Sequence, residues 1–140
     1  MNVLVKIAVA LIISLVSYPL EAQETYSIKV TVKGADSNDG KMFIALYNTE
    51  ANFLDKTYKG TKSEINNNQC SITFEDIPEG VYAVSVFHDE NDNGKMDTNF
   101  MGIPKEDYGC SNDASGFMGP PKWRDAKFQL KDNKSIIIAL

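Results

Sequence analysis

Tyr26, Ile28, Val30 and Val32 alternate with Ser27, Lys29, Thr31 and Lys33. This period of two predicts a strand with one buried face. A turn rich in Asp, Asn and Gly follows at residues 34–40. From 41 to 47 the alternation resumes with Met42, Ile44 and Leu46 on one face and Phe43, Ala45 and Tyr47 on the other, so this second strand is apolar on both sides. Together the two read as a hairpin. Residues 48–68 show no sustained period beyond a short capped helical turn opened by Thr49, whose Phe53 and Leu54 are expected to plug one end of the core. Strands at 70–74 and 81–87 flank a turn at 77–80. The later one sets Val81, Ala83, Ser85 and Phe87 against Tyr82, Val84 and Val86 and is the candidate sheet centre. Two further short strands, 126–130 and 135–140, flank a turn at 131–134.

At least six short strands, turn chemistry between them and no long amphipathic helix predict an all-β fold. The expected form is an antiparallel β-sandwich of six to seven strands with one long irregular loop. A five- or six-stranded barrel is the competing arrangement, because spacing alone does not reveal strand order.

The N-terminus changes the picture. Lys6, an apolar run at 7–16 and a more polar exit at 17–22 have the form of a cleavable signal peptide, 1–22. The run is shorter than the ~20 residues that span a bilayer, so no transmembrane segment is expected in the mature chain, and a secreted or periplasmic location is. What remains, 23–140, is the size of one domain. The net charge of −5 is unchanged by cleavage, since Lys6 and Glu21 leave together. With a pI of about 4.8, it argues against nucleic acid as a partner and points to cations as ligands. The physiological partner is left unknown, a glycan or an envelope protein being compatible.

Export also bears on the two cysteines. Cys70 and Cys110 are expected to pair in an oxidising compartment, which the chain-entropy model values at about 4 kcal/mol. The other reading, a zinc site of Cys70, Cys110 and the single histidine His88, lacks a closely spaced ligand pair.

Most of the candidate chemistry sits directly after the central strand, in His88-Asp89-Glu90-Asn91-Asp92-Asn93-Gly94-Lys95-Met96-Asp97. Asp89, Asn91 and Asn93 at alternate positions, followed by Gly94, match the first half of a calcium loop in which side-chain oxygens converge around a sharp turn. Lys95 would add its carbonyl and Asp97 the ninth position. The twelfth position is Phe100, where a bidentate glutamate is the rule, so a weak structural calcium site is expected unless another segment contributes; Asp76, Glu79, Glu90 and Asp92 are the nearby acids. The competing reading is a tight Asn93-Gly94 turn with solvated acids. The segment 98–121 is long and rich in Gly and Pro yet carries aromatics. Tyr108, Phe117 and Trp123 are candidates for a ligand-binding platform that would stack on a sugar ring or peptide, or for a local core that covers the sandwich end.

No catalytic constellation is present. His88 beside Asp89 suits a structural hydrogen bond, and neither Ser111 nor Ser115 lies in a nucleophile elbow. A small hydrolase acting through His88 or a carboxylate pair is kept as an alternative, behind a non-catalytic binding module and a carbohydrate-binding module.

The run HDENDNGKMDTNFMGIPKEDYGCSNDASGFMGPPKWRDAKFQL, preceded by IPEGVYAVSVF, resembles the signature of a small exported bacterial family known only as a domain of unknown function. The resemblance spans nearly the whole mature chain, and it implies a prealbumin- or immunoglobulin-like sandwich without an assigned activity. More locally, Asp89, Asn91, Asn93, Gly94 and Asp97 resemble the loop of calcium-binding repeat modules in bacterial surface adhesins.

Overall fold

The computed structural model describes residues 2–7 and 21–140; most of the expected signal peptide, 1–22, lies outside the described residues. Among the described residues, no helix is long and apolar enough to cross a membrane. Eight strands follow in chain order: β1 (Thr25–Lys33), β2 (Lys41–Tyr47), β3 (Lys59–Ser63), β4 (Gln69–Pro78), β5 (Gly80–Asp89), β6 (Tyr108–Cys110), β7 (Phe128–Leu130) and β8 (Lys134–Ala139). A single helical turn, α1 (Trp123–Ala126), precedes β7.

The strands form two layers. One sheet has the order β4-β1-β8; the other runs β3-β2-β5-β6, with β7 also on β5. Ile28, Val30 and Val32 from β1 meet Met42, Ile44 and Leu46 from β2 and Val84 and Val86 from β5 in the shared core, all of them almost completely buried. Fully burying such a side chain contributes about 1.5–3 kcal/mol, so the alternation along β1, β2 and β5 sets which face turns inward. The expected all-β sandwich is therefore the fold.

Three local expectations are corrected. β1 and β2 do not form a hairpin: β1 pairs antiparallel with β4 and parallel with β8, whereas β2 pairs with β3 and β5. Residues 34–40 are long enough to cross between layers about 10 Å apart, and the inward faces of both strands then meet in the shared core. The parallel β1–β8 pair also means that the sandwich is not antiparallel throughout. Phe53 does not plug the core. It packs edge-on against Tyr47, at 5.3 Å between ring centroids, and against Trp123, at 5.7 Å, outside the five-stranded sheet, and Leu54 is exposed.

The third correction concerns the cysteines, which are both free. Cys70 lies in the core between the sheets, whereas Cys110 belongs to a separate cluster with Ala83 and Ala126, so the five-stranded sheet stands between them. Burial pushes both thiols up, Cys110 to about 11, and the thiolate is the reactive form. Ellman titration at pH 8 without reductant is expected to count two thiols in denaturant and almost none in the folded protein. Zero in denaturant would restore the bridge.

β6 and β7 share one edge of β5, and Ser111 fills the gap between them. Its hydroxyl accepts from Val84 N at 3.0 Å and donates to Ala126 O at 2.6 Å, completing a ladder that would otherwise leave buried backbone groups unpaired.

Candidate functional site

β2 and β5 are apolar on both faces, and the sandwich core uses only one of them. On the outer face Phe43 stacks on Phe87, with centroids 4.7 Å apart and planes 15° from parallel. Register then sets Tyr108 beside Phe87 and Cys110 beside Ser85, and Ala45 opposite Gly60. Ser85 bonds Tyr47 through their hydroxyls at 3.1 Å. This surface is the floor of a groove with a cavity volume of about 1210 Å³, walled by Met96, Met101, Ile103 and Pro104 and by residues 116 and 118–121. Sequence reasoning missed the groove, although the two-sided apolarity of β2 was its signal.

The wall begins in the loop that carries the acidic motif. Asp89 ends β5 fully buried, and its carboxylate accepts from Asn93 N at 3.2 Å and from Gly94 N at 2.8 Å. The amides of Asn91 and Asn93 donate to Asp97 at 2.6 Å and 2.8 Å, and together they hold its carboxyl below the usual carboxylate range, Asn93 contributing most. Next comes a small hairpin. Lys105 N bonds Asp97 O at 2.8 Å, Thr98 bridges Pro104, and Asn99 Oδ1 accepts from Met101 N and Ile103 N. Phe100, at the twelfth position, sits on its tip and is 98% exposed.

The hairpin returns the chain to the start of the loop. Glu106 Oε2 there accepts from Asp97 N at 3.1 Å. Burial, then the charges of Asp97 and Asp89, push the Glu106 carboxyl up. Glu106 therefore brings a carboxylate beside Asp97, carried there by the 98–105 hairpin. Of the acids expected to assist, Asp76 and Glu79 lie near the opposite end of β5, about 30 Å away at the usual rise per residue. Glu90 faces His88 instead, at 3.7 Å from its Nδ1. Among the described residues no three His, Cys, Asp or Glu side chains are placed to hold a metal unaided; a cation here would need the Asn91 and Asn93 oxygens and the Lys95 carbonyl as well.

The three loop aromatics stand apart. Tyr108 is on the groove floor, Phe117 is 93% exposed, and Trp123 packs on Phe53. His88 is fully buried, and its Nε2 donates to Asp39 O at 2.7 Å, tying the 34–40 crossing to β5.

A two-layer all-β domain with a loop-walled apolar groove on one outer face is thus the class that fold and site define. Residues 30–138 match the model of the family described as "Uncharacterized protein conserved in bacteria (DUF2141)", and the chain belongs to that family. No match was found among curated proteins or among solved structures.

Proposed function

We propose that the protein is a non-catalytic binding module of the extracytoplasmic space, in which a weak calcium site at 89–106 orders the wall of the groove. The observation that carries this reading is Glu106, a partly buried carboxylate held against Asp97 with its charge opposed by two neighbouring acids. Calcium takes six to eight oxygens. Asp89, Asn91, Asn93, the Lys95 carbonyl, Asp97 and Glu106 supply that number once each asparagine amide turns its oxygen inward. The ion's role is structural: by clamping Asp97 to Glu106 it fixes both ends of the hairpin that carries Met101 and Ile103 to the groove. The proposal includes cleavage of 1–22 during export, supported by the charge and apolar pattern there, and a prealbumin-like relationship for the sandwich.

Melting the protein in excess calcium and again in chelator tests it. A ligand bound only to the folded state at a hundredfold excess over its dissociation constant contributes about 2.7 kcal/mol, which for a domain of this size is a rise of roughly 10 °C. Glu106→Gln should remove most of that rise and magnesium should not produce it. Identical midpoints in calcium and chelator would leave Asn93-Gly94 as a simple turn.

A further inference from the structure

We propose that the groove holds a free medium-chain fatty acid, its chain lying across the Phe43–Phe87 floor and its carboxylate meeting Lys62. This deepens the binding-module reading and rests on it. Among the described residues Lys62 is the only charged side chain lining the groove, in a protein of net charge −5. Its ammonium sits 4.6 Å over the Phe43 ring, and among the described residues it forms no ion pair. A cation held over an apolar floor without a carboxylate partner complements a ligand with one anionic end and an uncharged body.

The rest of the lining favours a chain without internal polar groups. Tyr47 and Ser85 satisfy each other, and β2 and β5, at the centre of the floor, have strands on both sides, so their backbone groups are paired; the sheet's outer strands, β3 and β6, lie only at its margins. A peptide brings an amide per residue and a sugar several hydroxyls, each costly to bury without a partner; an acyl chain brings none. Three of the chain's five methionines, Met96, Met101 and Met118, are in the wall, and their flexible thioethers adapt to a ligand of variable shape. Four strands at about 4.8 Å spacing make a floor roughly 14 Å wide, which suits an extended ligand.

The test is calorimetric titration of the purified protein with laurate, with dodecanol as the uncharged analogue and maltoheptaose as the glycan probe, in calcium and in chelator. Saturable laurate binding is expected. Lys62→Met, which keeps the apolar stem, should weaken laurate at least about tenfold, the lower end of the value of a charge-assisted hydrogen bond, while leaving dodecanol unchanged. Ala45→Trp, which fills the floor from the outer face, should abolish both, with circular dichroism confirming the fold. Failure of laurate to bind, equal affinity in Lys62→Met and the parent, or binding of maltoheptaose in place of laurate overturns the assignment. Laurate binding without any calcium-dependent melting shift upholds the fatty-acid site while discarding the calcium reading; a calcium shift without laurate binding does the reverse.

Discussion

Asp89→Ala is expected to lower the melting midpoint in chelator by roughly 10 °C and to erase the further rise proposed for calcium. The Asp89 carboxylate is fully buried and accepts from two backbone N–H groups, of Asn93 and Gly94. A hydrogen bond to a charged group contributes about 1.5–3 kcal/mol, and alanine removes the carboxylate from both donors, leaving Asn93 N only its bond to Asn91 Oδ1. Losing the two bonds should cost about 3 kcal/mol, and at the conversion for a domain of this size this is roughly the stated 10 °C. Asp89→Asn separates the two effects, because an amide oxygen can still accept from Gly94 but brings no charge to a cation. It should retain part of the stability and still lose the calcium response. Scanning calorimetry in calcium and in chelator measures both; an unchanged midpoint for Asp89→Ala would show that the carboxylate organises nothing.

Gly40→Ala should be at least as damaging, although residue 40 lies far from the acidic loop in sequence. Gly40 has φ +67, and a Cβ there would stand 1.9 Å from Asp89 O and 2.8 Å from the Glu90 backbone. Left-handed backbone costs a side chain roughly 1–2 kcal/mol, and forced overlap typically about 1–3 kcal/mol more. Together they predict a loss of about 3 kcal/mol or greater, read as a shift in the urea midpoint. Gly94→Ala is the internal control. Its φ is +82, but an added Cβ would meet nothing within 4 Å, so only the conformational cost of roughly 1–2 kcal/mol applies. Equal losses at the two positions would mean that the 34–40 crossing does not press against the end of β5. His88 reinforces that contact by bonding Asp39 O, so the crossing and the entrance to the acidic loop form one packed unit.

That unit explains why part of the site was hidden in the chain. The first half of the acidic motif is local: Asp89, Asn91 and Asn93 converge because a tight loop brings alternate side chains together, and spacing alone reveals it. Glu106 is different. It reaches Asp97 only because 98–105 folds into a hairpin, and the hydrogen bonds of Asn99 that shape this hairpin leave no periodic trace. Lys59–Ser63 was equally silent, since β3 is exposed along most of its length and needs no apolar alternation, and β6 has only three residues.

By itself the sequence determined an all-β domain, the inward faces of β1, β2 and β5, and the position of the acidic loop. Burial acts on each residue through its immediate neighbours and writes a period of two into the chain. Tertiary structure alone decided that β1 and β2 belong to different sheets, that Cys70 and Cys110 stand on opposite sides of one of them, that Glu106 reaches Asp97 in the acidic loop, and that the second apolar face of β2 and β5 lines a groove with residues of the 96–121 segment. Each of these depends on segments distant in sequence coming to one place. Such an approach is set by the packing of whole layers, which many local patterns can satisfy equally well.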